Sequence, residues 1–179
     1  MFYTVECTYT DPDSETGWNE FYSSEKLPAL VSVTGFSTSQ RFRAITDGCP
    51  VYLAIHTVRD PGVLDSEEYR QKGGGNFSRW QRHISDWHRN LYDGVNAAPA
   101  VAENEIMVLS LSPVDFLECE IGVMPLELRA VGLEKSPAQR WLYVLSQKDS
   151  GLISGSSAGI YRYEPMTKQL KNGSVSPIE

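Results

Sequence analysis

With 179 residues, 41% of them hydrophobic and 22% charged, the chain is long enough for one large domain or two small ones and has an ordinary globular composition. A net charge of -7 without clustered Lys or Arg excludes binding to a nucleic-acid backbone, and no apolar run approaches the ~20 residues that span a bilayer. The start Met1-Phe2-Tyr3-Thr4-Val5-Glu6 lacks the basic and apolar regions of a secretory leader, and the three cysteines Cys7, Cys49 and Cys119 are odd in number and far apart. A cytoplasmic protein with reduced thiols is therefore expected, with no membrane partner.

Phe2 to Tyr9 alternates and is rich in aromatic and β-branched residues, which predicts a strand. Asp11-Pro12 then supplies a helix start, and Trp18, Phe21 and Tyr22 form a helical apolar stripe that runs to Val31 past a break near Pro28. Gly35 to Ile45 and Pro50 to Val58 form a hairpin. Pro61 to Tyr69 reads as a short acidic helix, and Gly73-Gly74-Gly75 as a mobile loop. Trp80, Ile84, Trp87 and Leu91 recur at helical spacing, so Phe77 to Leu91 is predicted as a helix with a short strand, Leu91 to Val95, after it. Residues 96–102 read as a connector. Strands are predicted at Ile106 to Leu111 and Gly159 to Glu164, and the tail is polar.

The first hairpin returns about ninety residues later. Arg43-Ala44-Ile45 followed by a Pro-containing loop and Val51 to Val58 is echoed by Arg129-Ala130-Val131, Pro137 and Gln139 to Leu145. Strand, helix, strand, strand, helix, strand is the order of a ferredoxin-like unit, whose bare sheet face needs a second sheet. The expected fold is α+β, with tandem ferredoxin-like halves (1–98 and a helix-reduced 103–165) arising by internal duplication, their antiparallel sheets packed face to face, and 166–179 as a flexible tail.

Trp18 with Phe21-Tyr22, then Lys26-Leu27-Pro28-Ala29-Leu30, Gly35-Phe36 and Arg41-Phe42, resembles the dimeric α+β barrel superfamily, in its EthD-like and antibiotic-biosynthesis-monooxygenase-like branches. The resemblance covers residues 1 to about 70, and the second half only through the hairpin echo. It implies a small cofactor-poor enzyme, a monooxygenase, isomerase or cyclase, that pairs as a homodimer. Many relatives carry a histidine where this chain has Lys26, an amine that ordinarily stays charged and so weakens any general base at that position.

Sorting each strand by alternation, with apolar faces turned to the helices, sends Thr4, Glu6, Arg41, Arg43, Tyr52 and His56 into the space between the sheets. His56 with Glu6 beside it would be the catalytic pair. Arg41 and Arg43 would hold an oxyanion, with Tyr52, Thr4 and Trp80 completing a substrate pocket. His83 and His88, five apart on the expected helix, would face different ways and make no metal site. Neither a P-loop nor a dinucleotide fingerprint occurs, Gly155 to Gly159 included, so no cofactor is expected. The function expected is a cofactor-independent enzyme acting on a small aromatic or carbonyl compound. The alternative is a non-catalytic small-molecule-binding or assembly protein of the same fold.

Overall fold

A computed structural model describes residues 1–94, 96–153 and 158–173. Val95, the end of one expected strand, residues 154–157 of the Gly-Ser run and 174–179 of the tail lie outside the described residues. The first half runs β1 (Phe2–Tyr9), α1 (Glu15–Phe21), a π-helical stretch Tyr22–Lys26, α2 (Leu27–Val31), β2 (Phe36–Ala44), β3 (Tyr52–Val58), α3 (Glu67–Gln71), a 3-10 turn Ser78–His83 and β4 (Ile84–Asp93). The second runs β5 (Glu105–Ser110), a π-helical stretch Phe116–Ile121, β6 (Leu126–Leu133), β7 (Gln139–Ser146), α4 (Gln147–Ser150), β8 (Ile160–Pro165) and a short β9 (Leu170–Lys171).

Within the first half β1 pairs with β3 and β4, and β3 with β2; within the second, β5 pairs with β7 and β8, and β7 with β6. The halves then join edge to edge, β4 to β6 and β2 to β8, closing an eight-stranded antiparallel barrel. Each of β1 to β8 has a neighbour on both sides, so none of these eight strands leaves an open edge to pair with a second subunit. The interior holds Phe2, Phe42, Leu53, Tyr92, Met107, Leu128, Leu142 and Tyr163, all essentially inaccessible. The space between the two half-sheets, expected to be a ligand pocket, is thus mostly a packed core.

Three local expectations are corrected. The helix over Phe77 to Leu91 is a 3-10 turn followed by strand β4. The register on β1 slips from Glu6↔His88 to Thr8↔Ser85, and Asp86 has φ 47°, so a β-bulge puts Ile84 and Trp87, three apart, in one outer layer with Leu91. A bulged strand thereby imitates helical spacing. His83 and His88 follow suit, His83 in the turn and His88 on the strand, its Nδ1 2.8 Å from a Glu134 carboxylate oxygen. The break near Pro28 is instead the wider winding just before it. Proline cannot donate to the preceding turn, and the π-helical stretch absorbs the missing bond without ending the helix.

The tail is held as far as it is described. Thr167 accepts from Gln40 Nε2 through its carbonyl at 2.8 Å and from the Arg41 backbone N–H through its hydroxyl at 3.1 Å, and β9 pairs with Thr38 and Ser39. Residues 166–173 therefore extend the edge contact of β8 along β2 and are not a free tail.

At the end of β4, Gly94 has φ 121°, and a Cβ there would sit 2.3 Å from the Glu127 carbonyl oxygen. The obstacle is backbone at the seam between halves. Gly94→Ala is expected to cost at least about 2 kcal/mol in urea unfolding, through both strain and clash. A loss below about 0.5 kcal/mol would show that the seam yields freely.

Candidate functional site

Strand β3 is buried along its whole length, so hydropathy carries no information about which of its faces meets the helices. The register decides: Tyr3 lies opposite His56, Val5 opposite Ala54 and Cys7 opposite Tyr52, while Ser39, Arg41 and Arg43 of β2 oppose His56, Ala54 and Tyr52. All of these share the outer, helix-covered face. Thr4 and Glu6 point into the barrel, and Glu6 is opposite Leu53, not His56.

The expected site is thereby divided. His56 is wholly buried, with Nδ1 2.6 Å from Ser39 Oγ and its ring stacked on Tyr3 at 5.4 Å. Burial, with Lys26 nearby, pushes its pKa down to about 3, so the imidazole is neutral at pH 7. Arg41 stays under α1, donating to Ser23 Oγ at 2.9 Å and Asn19 Oδ1 at 2.8 Å over the ring of Tyr22. Tyr52 is beside it, donating to Glu15 Oε1 at 2.5 Å, and Arg43 reaches that same hydroxyl from the surface at 3.5 Å. Trp80 lies at the edge of the layer against Phe21, with Arg79 over its ring. Glu6 is inside the barrel, bonded to Arg140, and buried Thr4 Oγ1 has no partner among the described residues.

What the outer face does bring together is a small cavity between β1, β4, the first helical run and the glycine loop. Tyr3 and Tyr69 meet hydroxyl to hydroxyl at 2.8 Å. Burial, reinforced by Tyr3, pushes the Tyr69 phenol far above its ordinary pKa. Burial disfavours the charge on Arg89, but the Tyr3 and Tyr69 hydroxyls beside it outweigh that and hold its pKa above the usual guanidinium value. Phe77 and Trp87 meet edge to face at 5.6 Å on another wall, and the buried Trp87 Nε1 has no acceptor among the described residues.

Lys26 closes the space. Its Nζ donates to the Gly73 carbonyl and, at 2.6 Å, to the Asn76 carbonyl, with the Phe77 ring 5.1 Å away. Burial without a carboxylate partner brings its pKa down to about 8. Gly74 is packed so that a Cβ would lie 2.3 Å from the Tyr69 ring, which fixes loop and phenol together. The cavity measures about 10 Å³, room for one water.

Sequence reasoning missed Tyr3, Tyr69, Trp87 and Arg89, which it assigned to an apolar face or to helices, and Arg140. Lys26 was singled out only as a departure from the relatives. Among the described residues no group of three or more His, Cys, Asp or Glu could hold a metal, and no helix is long and apolar enough to cross a membrane.

No family model and no curated protein matches the chain. Solved structures do. A chain described as an anthrone oxidase-like protein aligns over 96% of this chain and 93% of its own, with TM-score 0.59 and 12% identity. A candidate monooxygenase from Fusobacterium nucleatum subsp. nucleatum ATCC 25586 aligns over 92% and 90%, with TM-score 0.51 and 12% identity. At such identity the likeness shows a shared fold, an α+β barrel.

The position of His56 predicts a pH effect. The unfolded imidazole takes a proton below about 6.5 and the folded one only below about 3, so the unfolded state holds the extra proton in between and stability rises with pH over that window. His56→Gln, which keeps a partner for Ser39, should lose this rise. Urea titrations from pH 4 to 7 are expected to show the parent gaining on the variant as pH increases. A difference that does not vary with pH would mean that the folded His56 takes up its proton as the unfolded one does.

Proposed function

We propose that the chain is a cofactor-independent, monooxygenase-like enzyme acting on a small aromatic compound with an acidic C–H or O–H, bound where the cavity beneath the Gly73–Asn76 loop opens. The observation that carries this reading is the convergence of Lys26, Tyr3, Tyr69 and Arg89 on one aromatic-walled space in a barrel like that of the anthrone oxidase-like chain. The neighbours' names favour the monooxygenase-like branch over the EthD-like one. The same reading takes 1–98 and 103–165 as duplicated ferredoxin-like units, supported by the matching strand order of the two halves.

A substrate enolate or phenolate can itself pass an electron to dioxygen, so the protein has to generate and hold that anion. Neutral Lys26 takes the proton, and Arg89 with the Tyr69 hydroxyl meets the charge that forms on the substrate oxygen. Dioxygen then adds at the carbon that lost its proton. One oxygen atom stays as a carbonyl while the other leaves with both hydrogens as water, so a CH2 and O2 become C=O and H2O.

One observation favours the non-catalytic reading: with the loop closed, the space holds no more than a water. Oxygen uptake separates the two. With anthrone as probe, in buffer containing EDTA and no flavin or nicotinamide, the expected result is protein-dependent consumption of one dioxygen per anthraquinone. The rate should rise with pH through about 8 as Lys26 loses its proton, then level off. Lys26→Met should lower kcat/KM about 100-fold and abolish that rise. Uptake no faster than in a protein-free control would leave the binding reading in place.

A further inference from the structure

The loop over the Lys26 cavity is anchored firmly at both ends and weakly between them. At its start Gly73 follows the last turn of α3 with φ 90°, and two backbone bonds fix the cap: Gly73 N–H to Arg70 O at 3.1 Å and Gly74 N–H to Tyr69 O at 2.8 Å. At its end Phe77 is buried, and its N–H donates to Gln81 Oε1 at 3.0 Å. Gly75 and Asn76, between these anchors, are exposed, and Gly75 has φ 80°, which suits only glycine well. Among the described residues, the bond from Lys26 Nζ to the Asn76 carbonyl at 2.6 Å is the only hydrogen bond that joins these two residues to another element. The Asn76 side chain merely turns back to accept from Ser78 N–H at 3.0 Å.

Gly75 and Asn76 line the cavity, which admits one water, so a larger molecule has to displace part of its wall. The other walls resist. β1 and β4 are paired on both sides, Tyr69 lies under Gly74 and is bonded to Tyr3, and the Phe77 ring packs against Trp18, Tyr22 and Trp87. The tie that holds the weak span also ends on the group that would meet a ligand. Lys26 is buried without a carboxylate partner among the described residues, so an ammonium that lets go of the Asn76 carbonyl needs another acceptor. A hydrocarbon has none to offer, whereas a carbonyl or hydroxyl oxygen replaces the lost one.

We infer that Gly75 and Asn76 form a lid latched by Lys26, which opens by exchange of acceptor, a ligand oxygen taking the place of the Asn76 carbonyl on Lys26 Nζ. The lid thereby selects aromatic compounds that carry an oxygen over hydrocarbons of the same shape. This inference rests on the placement of the substrate at the Lys26 cavity and not on its oxidation, so its test involves no turnover.

The full chain, labelled with 13C at glycine Cα and lysine Cε, is titrated under argon with 2-naphthol and with naphthalene at pH 7, where Lys26 keeps its proton. Saturable movement of the Gly75 Cα and Lys26 Cε signals is expected with 2-naphthol, and naphthalene should bind at least about ten-fold more weakly. Lys26→Met fills a similar volume without donating. It should show Gly75 displaced before any ligand is added and should prefer naphthol to naphthalene by less than about three-fold. The inference is overturned if 2-naphthol gives no saturable shift, if Lys26 responds while Gly75 stays where it was, or if naphthalene binds as tightly as naphthol. It is overturned equally if Gly75 in Lys26→Met keeps the position it has in the parent, and the parent titrations decide the matter should that variant fail to fold. A lid that responds in a protein that consumes no oxygen with anthrone would remove the proposed oxidation and leave the lid standing, whereas oxygen uptake with Gly75 unmoved would do the reverse.

Discussion

Closing eight strands into a barrel within one chain is the constraint on which the remaining structure depends. Once β4 has met β6 and β2 has met β8, every strand from β1 to β8 is paired on both sides, and alternate side chains of all eight must share one narrow interior. Strands in so small a barrel leave a lumen that side chains fill, which is why Phe2, Phe42, Tyr92 and Tyr163 are nearly inaccessible. A barrel packed in this way cannot also hold a sizeable ligand at its centre. Space for ligands is displaced to the outer faces, where helices lie on the sheet.

The outer faces of the two halves differ in depth. Over the first, the long helical run, α3 and the glycine loop cover an aromatic layer that includes Tyr3, Trp18, Tyr22, Phe36, Tyr69 and Phe77. Over the second, a π-helical stretch and the single turn of α4 pack a smaller cluster around Val108, Leu117, Tyr143, Leu145 and Ile153. Two strand sets with the same pairing order therefore differ in what can be built on them. The first half has the thickness for an enclosed polar cluster, whereas the second packs just enough apolar surface to shield its strands.

The sequence made the strands legible and their orientation only in part. β1 alternates between aromatic or apolar and polar residues, and its two faces were sorted correctly because only one of them meets the helices with apolar side chains. β3 is buried on both faces, so Val51, Leu53 and Ile55 looked like the helix-facing set although Leu53 and Ile55 belong to the barrel core. That inversion placed His56, Tyr52 and Arg41 beside Glu6 when a sheet lies between them. In β4 the extra residue at Asp86 shifted the alternation and produced a helical spacing from a strand. The second hairpin forms as β6 and β7 because β-pairing preserves the order of strands even where bulges disturb their phase, and the repeated Arg-Ala-Ile/Val with its Pro-containing loop pointed to it.

Three buried cations show how differently a charge can be kept inside this fold. Arg41 is held by α1 and by aromatic rings, all from the same packed layer, so nothing short of unfolding changes its partners. Arg140 is neutralised by Glu6 across the barrel, both Glu6 oxygens accepting from its Nη2, while its buried Nη1 has no acceptor among the described residues. Lys26 has no carboxylate partner among the described residues and depends on two carbonyls of the loop that roofs its cavity. Carbonyl acceptors offset desolvation less well than a counter-ion does, so the amine gives up its proton near pH 8. Loss of that proton removes the charge-assisted bonds to Gly73 and Asn76. The protonation state that frees Lys26 to act as a base is therefore also the state in which its grip on the roof is weakest, and the same titration links entry to the cavity with the chemistry proposed inside it.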